Sequence, residues 1–327
     1  MRRSKVETQG LFSSLFLEQR VPQCHPLRPA LAIVDNSLAN MDRRFNARYS
    51  STCRPSIPLG FLLRAPLLQV SYDARYERRL IEQLIYSLLF RWFVGLTIDD
   101  NVWVPMVISR NDDRLLDHGT RQVFFRSVLD QALSQNRLSE ERRSVDGWFF
   151  CGWARRNETY ACFTDSDAHL YQNAACEAPF SAYLGYVLRE HRHGLIARQQ
   201  VTTADDTAEV DAIVQLVDDL GGTRRIPLAP DKGYERPGYI QDLRDHHVTP
   251  HVARKRKGSE IEGRATRHVV YTLSMHVRRR IKSIFGWMKT VGGVRKTRCQ
   301  GLNWRNQHFS LVTTAYNLVR MVQLGVI

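Results

Sequence analysis

The chain has 327 residues, of which 43% are hydrophobic, and this is enough for two domains that each have a core. Its formal net charge is +14, and the excess lies at one end. Residues 254–327 contain sixteen Lys and Arg but only two Asp and Glu, which equals the whole excess. Such a basic block attracts polyanions, because neutralised phosphates release their counterions. A solvated basic helix face is the simpler alternative, but it fits poorly over so long a segment.

Several kinds of protein and site are excluded by the same sequence. No apolar run approaches the roughly eighteen residues of a membrane-spanning helix, and the apolar stretch from Leu11 to Leu17 is too short and broken for a signal peptide. The six cysteines form no Cys-x-x-Cys pair, which indicates neither a zinc site nor a redox motif and suits a reducing cytosol. Phosphate-binding loops, dinucleotide fingerprints and Gly-x-Ser-x-Gly motifs are also missing.

The first part of the chain is predicted to be helical. Near-helical spacing of apolar residues predicts a helix over residues 26–46, and Arg54–Pro58 predicts the start of the next one. From Leu59 to Arg137 the apolar residues keep a helical period, although Pro66 interrupts it. We therefore predict an all-helical N-terminal domain over residues 1–137.

Near Leu138 the period changes from that of helices to that of strands. Apolar runs bounded by turn residues predict strands at Trp148–Trp153, Ala182–Leu188, Gly194–Val201, Arg225–Ala229 and Val248–Val252. Helices are predicted at Thr207–Leu220, Pro237–His246, Tyr271–Thr290 and Phe309–Leu324. The second and third strands are predicted to pair antiparallel across His191–His193, whose histidines are expected at the surface. Strands followed by strand–helix alternation predict a mixed α/β domain over residues 138–327.

Two acidic residues stand where strands are predicted. Asp146 lies in Ser144–Gly147, and Asp231 closely follows the strand that ends at Ala229. Two acids on neighbouring strands can bind one divalent ion from the same side. A third acid, from a helix that crosses the sheet, would complete a two-metal site for phosphodiester chemistry. Taken singly, each Asp-Gly or Asp-Lys-Gly step is more simply a turn.

Ten short segments along the chain resemble, in the same order, those of a known family. They are Arg54–Pro58, Leu88–Leu96, Arg114–Leu116, Ser144–Gly147, Asn157–Thr159, Asp165–Tyr171, Ala229–Tyr234, Val248–Ala253, Phe285–Gly293 and Ala315–Arg320. The family is that of bacterial insertion-sequence transposases of the D-D-E class, and the resemblance covers about residues 10–325. It implies an RNase H-like core with a mixed sheet flanked by helices, preceded by a helical domain that binds DNA ends. Such enzymes cut transposon ends and join them to target DNA.

The resemblance also implies roles for particular residues. Asp146 and Asp231 would be catalytic metal ligands for Mg²⁺ or Mn²⁺, since hard carboxylate oxygens suit these ions. The basic residues expected to contact DNA phosphate are Arg278, Lys289, Arg295, Lys296 and Arg298. The expected partner is double-stranded DNA, as terminal repeats and as target, with room for a homodimer on the DNA. No membrane is involved, and the expected location is the bacterial cytoplasm, at the nucleoid.

The third acid of this family is replaced by a base. In the family a Glu follows an Arg by four residues and precedes a Lys by seven, and between Arg278 and Lys289 that position holds Lys282. An ammonium has three donors and no acceptor, so it cannot ligate a metal ion. Its repulsion of one unit charge at about 4 Å is about 4 kcal/mol at an effective dielectric of 20. No acid follows Glu262, so the sequence offers no replacement downstream.

Prolines add further departures from the family pattern. Pro227 and Pro230 lie at the strand before Asp231, and proline is poorly tolerated in an internal strand. Pro66 lies inside a predicted helix, where proline costs about 3 kcal/mol. Together with Lys282, these faults indicate a decayed copy of a mobile element.

Helical spacing describes the segment around Lys282 without reference to the family. It predicts one basic face formed by Arg278, Lys282, Phe285 and Lys289. The opposing apolar stripe, predicted to face the core, is formed by Ile281, Ile284 and Met288. A basic face towards phosphates is favoured over a merely solvated one, because further basic residues follow it.

Three hypotheses about function follow from the sequence. The first is a DNA-binding transposase that descends from a D-D-E phosphoryl-transfer enzyme and is impaired in catalysis. The second is a non-catalytic DNA-binding remnant that competes with an active transposase. The third is a non-functional pseudogene product that folds poorly. Lys282 favours the second hypothesis over the first, and the prolines favour the third.

Overall fold

Helices surround a six-stranded mixed sheet. The computed structural model describes residues 16–46, 57–74, 76–108, 110, 119–139, 141–151, 165, 167–171, 180–204, 208–218, 225–230, 238–253, 259, 266–295 and 300–325. Asp231, Lys296 and Arg298 lie outside these residues. Over the described ranges, no helix combines the length and apolar character needed to span a bilayer.

The helices form an N-terminal and a C-terminal group. The first group comprises α1 Leu17–Arg20, α2 Leu27–Asn46, α3 Leu59–Ser71, α4 Glu77–Tyr86, α5 Leu88–Val94 and α6 Thr120–Ser134. The second comprises α7 Ala208–Asp218, α8 Tyr239–Asp245, α9 Val269–Arg278, α10 Ile281–Thr290 and α11 Leu302–Gln323. The strands are β1 Arg143–Cys151, β2 His169–Tyr171, β3 Phe180–Glu190, β4 Ile196–Thr203, β5 Ile226–Ala229 and β6 Val248–Pro250. This arrangement confirms the predicted mixed α/β class.

Strand β1 lies at the centre of the sheet. It runs antiparallel to β3 along its whole length, with Asp146 opposite Val187, and parallel to β5, with Ser144 beside Ala229. Strand β4 continues the antiparallel side and β6 continues the parallel side. The order is therefore β4-β3-β1-β5-β6, as in an RNase H-like core, and β2 pairs with the start of β3.

A buried arginine organises the N-terminal helices. The guanidinium of Arg91, which is 6% exposed, donates to main-chain carbonyls of the preceding helix and the following loop. The acceptors are the carbonyls of Leu84, Thr97, Ile98 and Asp100. Between α2 and α6, the Gln131 amide donates to the Ile33 carbonyl and the Ser37 hydroxyl. Because the acceptors of Arg91 are main-chain carbonyls at a helix end and in a loop, its contacts replace hydrogen bonds that the backbone cannot make itself.

The C-terminal helix α11 packs on both the N-terminal helices and the sheet. Its Asn317 is fully buried and pairs with both main-chain groups of Ile196 in the edge strand β4, donating to the carbonyl and accepting from the N–H at 2.9 Å each. On its other side α11 contacts α6, α2 and α3. One hydrophobic core therefore runs from α2 through α11 into the sheet, across the domain boundary predicted near Leu138.

The strand proline Pro227 is accommodated by the register of β5. The N–H of Ile226 donates to the His247 carbonyl at 3.1 Å, so the nitrogen of the next residue points towards β1. The pairing of β1 with β5 begins only at Arg143 beside Leu228. The missing N–H of Pro227 thus faces the end of that ladder, where proline is tolerated. The expectation that this proline disrupts the strand is wrong.

The helix prolines and boundaries show other differences from the sequence prediction. Pro66 does lie inside α3, as expected, and its buried ring cannot donate to the preceding turn. The single helix predicted over Tyr271–Thr290 is wrong, because the chain divides into α9 and α10 at Arg279 and Arg280. There the bonds tighten to i→i+3, as from the Arg280 N–H to the Val277 carbonyl at 3.0 Å.

We expect Asn317→Ala to destabilise the protein by about 1–3 kcal/mol, because it leaves two main-chain groups of Ile196 without partners in a buried setting. Urea unfolding followed by circular dichroism measures the change. The matched control is Val319→Ala on the same helix, whose side chain is 40% exposed and whose change should stay within about 0.5 kcal/mol. Equal stability of both variants would contradict the assigned role of Asn317.

Candidate catalytic and DNA-binding site

Asp146 lies within β1 on the sheet face that α10 covers. Its carboxylate Oδ1 accepts a hydrogen bond from the Gly147 N–H at 3.0 Å, and the residue is half-buried. Gly147 continues the strand and pairs with Tyr186. The Tyr186 ring lies so close to it that an added Cβ would come within 2.6 Å of the ring. The turn interpretation of this Asp-Gly step is therefore wrong, and the glycine instead provides room for a ring.

The end of β5 is tied to the end of α9. Ala229 pairs with Ser144 of β1, and Pro230 follows it in a buried position. The carbonyl of Pro230 accepts a hydrogen bond from Nη1 of Arg278 at 2.8 Å. The guanidinium thus holds the main chain at the residue that precedes Asp231, which itself lies outside the described residues.

Lys289 lies close to Asp146. Its Nζ is 4.0 Å from the centroid of the Trp148 ring, a cation–π contact with the residue two positions along the same strand face. Burial lowers the pKa of the Lys289 ammonium and nearby Arg295 lowers it further, whereas the Asp146 carboxylate opposes both. Helix α10 therefore places the ammonium group of Lys289 next to the Asp146 carboxylate.

Lys282 is on the exposed side of α10. Ile281, Ile284 and Met288 are buried, which confirms the predicted apolar stripe, but Phe285 is buried with them at 4% exposure. The single basic face that included Phe285 is thus wrong. Phe285 follows Ile281 by four residues and precedes Met288 by three, so ordinary helical spacing places it on the apolar face of α10.

The described residues do not fit a two-metal site. No group of three or more His, Cys, Asp and Glu side chains among them is placed to hold a metal ion. Of the residues predicted for this site, the structure describes Asp146, which has Lys289 beside it, and Lys282, whereas Asp231 lies outside the described residues.

His191 and His193, which were expected at the surface, are instead half-buried, and His251 beyond β6 is buried. Nε2 of His191 lies 2.6 Å from Oγ of Ser144, and His251 is 6% exposed. Burial, together with the positive groups of Arg189, Arg142 and His251, lowers the pKa of His191 to about 4. The surface expectation fails because the turn at His191 folds back onto the first residues of β1. We interpret these histidines as residues that stabilise the fold.

Stability should fall in acid because of His191. Its pKa is depressed from 6.5 to about 4, so its contribution is complete above pH 6.5 and is lost as pH falls from 6.5 through 4. We expect His191→Gln to flatten the pH dependence of the unfolding free energy in that window. The exposed His276→Gln serves as control. His308 has a pKa lowered to about 4 by burial and should retain part of the dependence. An unchanged profile for His191→Gln would contradict this assignment.

Comparisons with known proteins agree with this geometry. A transposase domain model, DUF772, matches residues 15–114, and a transposase DDE domain model matches residues 184–318, so together they cover more than two thirds of the chain. The fold and both matches define a DNA transposase. Within that class, the chain belongs to the insertion-sequence D-D-E transposase family.

Solved structures and curated proteins were also compared. The chain is similar to the piggyBac transposase in a synaptic complex with hairpin DNA, at 8% identity and a TM-score of 0.43, over 92% of this chain and 76% of that one. It is also similar to the Mos1 transposase in a paired-end complex with the left transposon end, at 11% identity and a TM-score of 0.22, over 87% and 86%. No curated protein matches the chain.

Proposed function

We propose that this protein is a transposase that binds the double-stranded DNA of element ends but is impaired in strand cleavage and transfer. The observation that carries the proposal is Lys282 on α10, a helix that crosses the sheet beside Asp146. Two contacts support the placement of this segment, that of Arg278 with Pro230 and that of Lys289 with Trp148. The segment thus keeps the family's basic neighbours on both sides of a position that has lost its acid.

Asp146 and Asp231 are proposed as the remaining ligands for Mg²⁺ or Mn²⁺, with weakened affinity. The parallel register supports this pairing, since Ser144 beside Ala229 leads both strands towards the two acids. Two carboxylates and the ammonium of Lys282 would leave about one negative charge for one or two divalent ions. That charge is too small to hold two such ions against their mutual repulsion.

The proposed DNA contacts follow the distribution of charge. Arg278 and Lys289, which are half-buried, keep this proposed role, and Arg295 is exposed beyond α10. Lys296 and Arg298 complete the proposed set. Residues 1–137 are proposed to bind DNA ends, with the domain division at residues 137–143, and the protein is proposed to act at the nucleoid, where a homodimer on DNA would pair two ends.

A second candidate function is that of a non-catalytic competitor. A chain that retains its fold and its basic surface, but lacks the third acid, would occupy element ends without cutting them. The observation that favours this candidate is the solvent exposure of Lys282, because the substitution changes the chemistry of the surface without disturbing the core beneath it. Competition with an active relative for the same DNA would support it.

A cleavage assay tests the proposed function directly. DNA that carries the flanking element ends is incubated with the protein and with Mg²⁺ or Mn²⁺, and binding and nicking are measured in the same samples. We expect binding without nicking, because the third carboxylate is missing. Efficient nicking by the unmodified chain would contradict the proposed impairment, and absence of binding at low salt would contradict the function itself.

We expect Lys282→Glu to strengthen Mg²⁺ or Mn²⁺ binding measurably by calorimetry. The change moves the site by two charge units and adds carboxylate oxygens. Lys282→Gln, which removes the positive charge without adding a carboxylate, should gain less. Asp146→Ala in the Lys282→Glu background should abolish the gain. If Lys282→Glu leaves metal binding unchanged in a folded protein, residue 282 does not belong to the site.

A further inference from the structure

We infer that the exposed side of the α9–α10 junction binds the sugar-phosphate backbone of DNA, and that Lys282 contacts a phosphate there without a metal ion. We call this surface the junction face; it consists of Arg279, Arg280, Lys282, Ser283 and Gly286, which are all exposed. The inference rests on the proposed function, because it takes DNA as the partner. It adds Arg279 and Arg280, which the family resemblance had not singled out, and it gives Lys282 a contact that needs no metal ion.

The charges of the junction face are available to a ligand. Arg279, Arg280 and Lys282 place three positive groups within four residues, and none of them forms an ion pair with a residue that the structure describes. Their neighbours differ in this respect, since Arg278 donates to the Pro230 carbonyl and Lys289 packs on Trp148. Among the described residues, therefore, the basic groups of the junction face form no ion pair that already commits them to the fold.

The shape of the junction face also suits a close approach. Gly286 lies four residues after Lys282, on the same side of α10, and a Cβ added to it would meet no other atom within 4 Å. A bare stretch of helix next to an ammonium lets a nucleic-acid backbone come nearer than a larger side chain would allow. The face is thus a shallow, uncrowded surface rather than a pocket, as expected for contact with a phosphate backbone.

A lysine instead of a glutamate at position 282 changes what this surface needs in order to bind a phosphate. A glutamate there would repel a phosphate unless a cation stood between them, so DNA binding at this point would depend on the metal. An ammonium carries its own positive charge and three hydrogen-bond donors for phosphate oxygens. Binding of DNA at the junction face should therefore proceed without any divalent ion, and this is the property expected of a chain that occupies DNA but does not cut it.

The test compares DNA affinity with and without metal. A short fluorescent duplex of random sequence is titrated in EDTA and in Mg²⁺ over a series of salt concentrations. We expect the unmodified protein to bind equally in both buffers. Lys282→Gln and Arg279→Gln should each weaken binding about five-fold at 0.15 M salt and lower the slope of log affinity against log salt by about one. Lys282→Glu should lose more in EDTA and recover part of the loss in Mg²⁺.

The matched control is Arg225→Gln, which removes the same charge from an exposed residue. Arg225 lies just before β5, whereas Pro230 lies just after it. The salt slope of Arg225→Gln should equal that of the unmodified protein, and thermal unfolding should show that all variants fold. Binding that requires Mg²⁺, or a slope unchanged in both Lys282→Gln and Arg279→Gln, would overturn the inference while DNA binding stands. No binding by the unmodified protein at low salt would overturn the proposed function as well.

Discussion

Asp165 is buried beneath the start of α11, where it accepts hydrogen bonds from the Tyr183 hydroxyl and the Gly301 N–H and pairs with Arg305 at 3.4 Å. An acid buried in this way needs all of its partners, because a charge left alone in the interior costs several kcal/mol. Asp165 and its partners therefore fix the start of α11 on the sheet, and Asn317 fixes the helix further along. Since the N-terminal helices pack on the other side of α11, their position relative to the sheet depends on the same contacts.

Much of the fold could be predicted from local patterns. The pairing of β3 with β4 follows from apolar runs on both sides of a polar turn, and α2 follows from its helical period. The start of α11 could not be predicted in this way. Its first N–H groups are satisfied by Asp165 and Asp167, about 135 residues earlier in the chain. A cap so distant leaves no signal near the helix, and the predicted start at Phe309 was accordingly seven residues late.

In the candidate site, too, some positions follow from local sequence patterns, whereas some contacts arise only in the folded chain. The positions of Asp146 and Lys282 could be inferred from motif spacing, because a strand and a helix preserve the order of their residues. The partner of Lys289 could not, since its contact with Trp148 joins residues that are brought together only by the packing of α10 on β1. Pro227 is a similar case: proline is usually unfavourable in a strand, and only the register shows that its nitrogen points where no donor is required.

Under the proposed function, the exposure of Lys282 accounts for a chain that is impaired in catalysis but keeps its fold. Exposed substitutions usually change stability by no more than about 0.5 kcal/mol, whereas the total stability of a domain is about 5–15 kcal/mol. The core beneath α10 is formed by Ile281, Ile284 and Met288, which are unaffected by residue 282. Pro66 is different, because a proline inside a helix costs about 3 kcal/mol and so uses a substantial part of that margin. Folding therefore constrains position 66 more strongly than position 282, where an exposed side chain can change without altering the core beneath it.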